Sequence, residues 1–368
     1  MLKSFVSADS HVTEPPDCYT RFIEKKYKDT APHLVKHERY GEIFVVDGVD
    51  TPVPMGLIAA AGKNPKDIDA HNQTFADLYP SGYDPKFRLA DQDKDGVGGE
   101  FLYPSVGMVL CLAPDPDYKR ACMGAYNRWL AEYVSEAPDR LFGVGQAAIR
   151  DPDDAVKEFH EIKALGFKGV MMPGDPHYKD YDDPAYDKLW ATAVELDLPL
   201  SFHISTGKSH RMADHERGHR INSMMAVIRA CQDIVGMFIF GGAFDRFPDL
   251  KLVCVEADAG WAPHYMARAD HMYDYHRYWM KAPDLKRMPS AYFRDNIYMT
   301  FQFDWTAFAE KDLLNIRRIL WANDFPHSDG TWPRSREFVM KHTEHLTDEE
   351  RNWVVHDNIC DLYGVSVQ

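Results

Sequence analysis

The chain has 368 residues, a net charge of −15 and 45% hydrophobic residues, with 19 Tyr, 20 Phe and 8 Trp. That acidity argues against a phosphate-backbone partner, which calls for a basic face. No run approaches a membrane span and no apolar leader core precedes the first charges, so neither a membrane nor nucleic acid is an expected partner and the expected location is cytoplasmic.

The length admits two domains, yet an α/β barrel of this size often forms one unit. Short apolar segments alternate with longer amphipathic ones, the pattern of βα units around a parallel sheet. Candidate strands cover 4–8, 99–103, 141–147, 168–172, 198–203, 251–256, 296–301 and 318–322, the number that closes a (β/α)8 TIM barrel over 1–368. Between them, 152–165 starts after Asp151 as an N-cap and stops at Gly166. Further helices are expected at 184–195, 222–238, 305–314 and, closing the chain, 348–361. The interval 12–95 is too long for an ordinary βα loop and carries a short strand at 43–49. It is expected to be an inserted lid over the C-terminal mouth of the barrel. Six scattered cysteines, with no C-x-x-C pair, read as reduced core thiols.

The C-terminal strand ends of such a barrel converge on one mouth, and there the sequence becomes specific. The first strand runs into Asp9-Ser10-His11, where alternation turns positions 9 and 11 the same way, so both can grip one divalent cation. The fifth candidate strand ends in His203, the sixth in Glu256 followed by Asp258, and the eighth in Asp324 with His327 three residues on. Apolar strands ending in His, Glu or Asp are hard to explain by packing, because a buried carboxylate is costly unless it is paired or metal-bound.

The motifs DSHVTEP (9–15), GFKGVMMP (166–173), FHIST (202–206), FDRFPDLKLVCVE (244–256), WANDFPH (321–327) and DNICDLYG (357–364) carry a resemblance. Together they resemble the amidohydrolase-related, aminocarboxymuconate-semialdehyde decarboxylase-like group of the amidohydrolase superfamily. The resemblance implies a metal-dependent barrel with Asp9, His11, His203 and Asp324 as ligands. It also implies a homodimer or other oligomer.

One departure stands out: Glu256 falls where decarboxylases of this group place a histidine. A glutamate serves as a base or as an additional carboxylate ligand, which shifts the expectation toward a hydrolase. In that reading Zn, Mn or Fe, one or two per chain, activates water against a small amide, ester or thioester. Asp324, Glu256 and His327 are the expected catalytic groups. The alternative is a non-oxidative decarboxylase of an aromatic or unsaturated acid; a third reading is a dinuclear Fe or Mn oxygenase. Arg211 and His219, in a basic stretch after the fifth candidate strand, and Glu14 are expected to meet a carboxylate-bearing substrate.

Overall fold

The computed structural model describes residues 2–207, 218–219, 221–225 and 227–368. Among these, the strands are β1 (Phe5–His11), β2 (His33–His37), β3 (Gly41–Val46), β4 (Val49–Pro54), β5 (Val97–Tyr103) and β6 (Leu141–Gln146). They continue with β7 (Gly169–Met172), β8 (Leu200–His203), β9 (Leu252–Val255), β10 (Ile297–Phe301) and β11 (Ile319–Trp321). Eight form one parallel sheet in the order β1-β5-β6-β7-β8-β9-β10-β11, and all eight candidate strands are among them. The sheet curls into a nearly closed barrel. Its two edges meet through the Asp324 N–H, which donates to the Asp9 carbonyl at 2.9 Å.

Register aligns the strand ends. His11 pairs with Tyr103, His203 with Val255 and Phe301 with Trp321, so the chemistry-bearing termini lie at one mouth. The eight barrel strands are buried throughout except at the half-buried Gly98. Phe5 packs edge-on against Trp321, and Tyr363 of the C-terminal helix Asn358–Tyr363 stacks on Phe101 at 4.2 Å.

The helices follow local sequence rules. Helix Pro152–Ala164 is capped by Asp151, whose carboxylate accepts from the Asp153 and Asp154 amides, and the chain leaves it through Gly166 at φ 84°. The other expected helices are broken. The segment 184–195 is a 3-10 turn followed by helix Asp187–Glu195, and 222–238 becomes Ile221–Met224 and Val227–Phe240. The segment 305–314 splits into helix Trp305–Ala309, capped by Asp304, and the 3-10 turn Lys311–Leu313.

The interval 12–95 holds more structure than expected. β2, β3 and β4 form an antiparallel three-stranded sheet, where only one short strand was legible. Its last part, helix Pro85–Asp95, leads directly into β5. The segment is anchored on the loop after β11. The Ala61 N–H donates to the Pro326 carbonyl, and Tyr79, Phe325 and Trp332 pack together beside it. Trp332 therefore serves this anchor, while Trp321 is a fully buried core residue.

Candidate metal centre

Four strand ends deliver the expected ligands to one place. Asp9, His11, His203 and Glu256 each offer an atom within 4.8 Å of the others, and His11, Asp324 and His327 form a second group sharing His11. His11 Nε2 lies 3.4 Å from an Asp9 oxygen, 3.2 Å from an Asp324 oxygen and 3.2 Å from His203 Nε2. His203 Nε2 is in turn 3.5 Å from Glu256.

The imidazoles are oriented from behind. His11 Nδ1 faces the Pro104 carbonyl at 2.9 Å and His203 Nδ1 the Ile204 carbonyl at 3.0 Å. A carbonyl only accepts, so each Nδ1 carries the hydrogen and each Nε2 is directed inward. Asp9 and Asp324 are buried, and all four of their carboxylate oxygens have no hydrogen-bond partner. Such oxygens are costly unless a cation satisfies them.

Electrostatics point the same way. Burial alone would raise the Asp9 carboxyl, but His203 and His11 hold it well below the usual range. Asp324 is likewise lowered, against burial, by His327 and His11. Burial disfavours charging His11, yet Asp324 and Asp9 raise it well above its ordinary value. Burial, Asp324 and Asp9 push Glu256 well up. The cluster thus favours positive charge at its centre, which a divalent cation supplies. Mixed carboxylate and imidazole donors suit Zn, Mn or Fe. The side chains of Asp9, His11 and His203 are fully buried, whereas that of Glu256 is 16% exposed, which makes it the donor most open to the mouth.

Two of the candidate ligand positions carry backbone strain. Glu256 and Asp324 have φ of 60° and 50°, a left-handed conformation that costs a β-carbon residue on the order of 1–3 kcal/mol. The surroundings impose it: the Glu256 N–H donates to Thr300 Oγ1 at 2.8 Å, and the Asp324 N–H is tied to β1.

His327 lies in the cluster. Its ring stacks on His11 at 3.8 Å, Nδ1 is 3.2 Å from Asp324, and Nε2 is 2.8 Å from Ser105 Oγ. Burial and the neighbouring His11 lower its pKa. The other expected residues are placed elsewhere. Glu14 is buried behind the loop after β5, where its carboxylate accepts from the Ser105, Val106 and Gly107 amides and from the Tyr19 hydroxyl. A side chain at Gly107 would collide with Gln146 Oε1, so the amide approach there depends on glycine. His219 is exposed and its Nδ1 accepts from the Ile221 amide. Arg211 lies outside the described residues.

A buried network not foreseen from sequence supports the ligands. Glu100 accepts from Arg88 Nε (2.5 Å), Gln92 (2.7 Å), Ser10 (3.1 Å) and Asn323 (3.1 Å). Arg88 also donates to the His11 and Phe325 carbonyls, and Asn323 Oδ1 accepts from Ser7, Ser10 and the Phe325 amide. Asp9-Ser10-His11 and Asn323-Asp324-Phe325 are therefore fixed by one polar cluster. Its signals were Ser7 and Ser10, two further polar residues beside Asp9 and His11 in the buried strand β1, and Glu100 inside VGGEFLY: buried polar groups require partners.

An eight-stranded parallel barrel whose strand ends gather His and carboxylate donors defines a metal-dependent TIM-barrel enzyme. The chain belongs to the amidohydrolase family, whose sequence model matches residues 68–365. Among curated relatives, the decarboxylase orsB of Emericella nidulans is 26% identical over 263 residues, 67% of this chain and 77% of its own. The 2-amino-3-carboxymuconate-6-semialdehyde decarboxylase of Dictyostelium discoideum is 26% identical over 200 residues, about half (54%) of each chain. An amidohydrolase structure from Mycobacterium avium subsp. paratuberculosis K-10 superposes with a TM-score of 0.83 at 22% identity, covering 99% of this chain and 100% of that one. The 5-carboxyvanillate decarboxylase of Sphingomonas paucimobilis gives 0.71 at 20%, with 98% and 99% covered. A dihydroxybenzoic acid decarboxylase from Polaromonas sp. JS666, with bound manganese and the inhibitor 2-nitroresorcinol, gives 0.64 at 18%, with 99% and 97% covered.

These relatives overturn the hydrolase expectation. It rested on Glu256 standing in place of a histidine, but both curated relatives described above are decarboxylases. A carboxylate at that position is compatible with either chemistry and does not decide between them.

Proposed function

We propose that the protein is a metal-dependent, non-oxidative decarboxylase of an aromatic or unsaturated carboxylic acid. The observation that carries this reading is the set of unpartnered buried oxygens on Asp9 and Asp324 facing His11 and His203, in a chain whose curated relatives are decarboxylases. Asp9, His11, His203 and Asp324 would hold the cation, with Glu256 beside them as the proton donor. When bound, it fixes and polarises an oxygen of the substrate's carboxylate or a neighbouring hydroxyl. Manganese fits the donor set and accompanies the Polaromonas sp. JS666 relative.

Breaking the bond to the carboxylate leaves an electron pair on the substrate carbon, which must take up a proton as carbon dioxide departs. Glu256 is assigned that proton because its side chain, 3.5 Å from His203 Nε2, is the one in the Asp9–His11–His203–Glu256 group that is partly open to the mouth. His327, held between Asp324 and Ser105 and stacked on the His11 ring, is assigned to orient the substrate. The 12–95 segment, anchored at Ala61 and Tyr79, forms the lid that excludes water.

The test is carbon dioxide release by manganese-loaded protein from 5-carboxyvanillate, 2,6-dihydroxybenzoate and 2-amino-3-carboxymuconate-6-semialdehyde, run beside amide, ester and thioester panels. Release from a carboxylic acid, lost in Glu256→Gln with metal retained, supports the reading. Hydrolysis without decarboxylation refutes it. Elemental analysis accompanies it: close to two equivalents of metal would assign the His11–Asp324–His327 group a second ion.

A further inference from the structure

The end of β10 carries a side chain that the metal centre does not use. Phe301 and Phe303 pack outward, on Phe308 and Phe338 of the surrounding helices, with ring centroids 4.8 and 5.1 Å apart. Alternation therefore turns Thr300 and Gln302 to the inner side of the barrel. β10 lies between β9 and β11, which run on into Glu256 and Asp324. The Ala322 N–H donates to the Phe301 carbonyl at 3.0 Å, so Gln302 stands level with both ends.

Three alternate residues tie this segment to the loop after β9. Thr300 Oγ1 accepts from the Glu256 amide at 2.8 Å, and one Asp304 oxygen accepts from the Ala259 and Gly260 amides at 2.7 and 2.5 Å. Between them, Gln302 is held through its backbone, whose N–H donates to Asp258 Oδ1 at 3.4 Å. Thr300 and Asp304 spend their side chains on neighbouring amides; Gln302 does not. It is only 6% exposed, and its Nε2 is buried without a hydrogen-bond partner among the described residues. A buried N–H left unpaired is costly, so the position calls for an acceptor from outside the chain.

We propose that Gln302 is a substrate-binding residue whose side-chain amide takes the second oxygen of the substrate carboxylate, the one the cation does not hold. This rests on the decarboxylase reading of the site and deepens it. Charge selects the occupant. The titratable groups that end this wall of the barrel, Glu256, Asp258, Asp304 and Asp324, are all carboxylates, and an ionised carboxylate repels a further anion. Gln302 is the neutral member of the row and offers N–H donors without adding charge. Neutrality also suits the reaction. The carboxylate loses its charge as carbon dioxide departs, so a cationic donor there would hold the ground state more tightly than the transition state. An amide fixes the direction of the group while stabilising its charge less than a guanidinium or ammonium does.

The test is isothermal titration of the manganese-loaded full chain with salicylate and with catechol. Each offers the cation two oxygens, and only salicylate keeps a further one, on its carboxylate, for Gln302. The nearly isosteric Gln302→Met is expected to weaken salicylate roughly 10–100-fold, the effect of losing a hydrogen bond to a charged group, and to leave catechol binding and metal content unchanged. Gln302→Glu, which puts another carboxylate in the row, should abolish salicylate binding. A wild type that does not bind salicylate, or a Gln302→Met that loses both ligands or neither, overturns the proposal. The readout needs no turnover, so the two readings fail separately. Ester or amide hydrolysis with the salicylate effect intact would refute decarboxylation and keep the carboxylate subsite; carbon dioxide release with salicylate binding unaltered in Gln302→Met would do the reverse.

Discussion

Replacing Arg88 by methionine tests whether the buried network holds the metal centre together. The Arg88 and Glu100 side chains are 0% and 1% exposed. Methionine fills much of the volume but leaves the Glu100 carboxylate with only the neutral donors Gln92, Ser10 and Asn323. Removing one partner of a buried ion pair costs about 3–5 kcal/mol, because the remaining charge is uncompensated. The expected result is a lower urea midpoint, followed by circular dichroism, together with roughly 10–100-fold weaker metal binding, the usual effect of losing support behind ligands.

Glu100 also gives the effect a pH signature. Burial opposes its ionisation in the wild type, but Arg88 keeps its pKa lowered. Without Arg88 the carboxyl is raised instead. The native state then prefers it protonated, so the stability of Arg88→Met relative to wild type improves as pH falls and worsens as pH rises. Neutralising the orphan in Arg88→Met/Glu100→Gln should recover at least ~1 kcal/mol. If Arg88→Met lies within ~1 kcal/mol of wild type and keeps its metal affinity, the network does not position the ligands.

Other predictions concern separate parts of the molecule. Asp9→Asn or His203→Ala should abolish stoichiometric metal by elemental analysis while leaving the far-ultraviolet dichroism of the barrel intact. Chelator treatment should abolish carbon dioxide release, and added manganese should restore it. Glu14→Ala, which leaves three buried amides without an acceptor, should destabilise the fold by about 1–3 kcal/mol, read as a lower melting temperature. Asp95, bonded to Ser335, is pushed by burial to about 6. Its raised value favours the native state below the unfolded carboxyl pKa, and that advantage fades as pH rises toward 6. Asp95→Asn should therefore flatten the melting temperature between about pH 4 and 6.

The barrel was legible because its strands are buried on both faces and read as plain apolar runs. Asp9, His11, His203 and Asp324 were legible because apolar packing gives no reason to end such a run in a charged or titratable side chain. The sheet β2–β4 was mostly hidden: its residues are largely half-exposed, so alternation is blurred by polar positions such as Lys36 and Asp50. Glu14 was read as a substrate contact because a carboxylate just past a DxH motif stands near the mouth, and only the turn of the loop after β5 reveals the amides it serves. Glu100 went unread because its partners come from three separate stretches, the preceding helix (Arg88, Gln92) and the distant Ser10 and Asn323.

The ligand set spans almost the whole chain, from Asp9 to Asp324, and those two aspartates sit on either side of the seam where the first strand meets the last. During synthesis the opening donors leave the ribosome long before their counterpart, so the cation site cannot be completed until β11 has docked beside β1. Metal uptake thereby reports that the ring has shut. A bound ion would add a further tie across a joint already held by the Asp324–Asp9 backbone bond and by the Ser7 and Ser10 contacts to Asn323, and amide exchange along β1 and β11 should slow more on metal addition than exchange along β6 and β7 on the opposite wall.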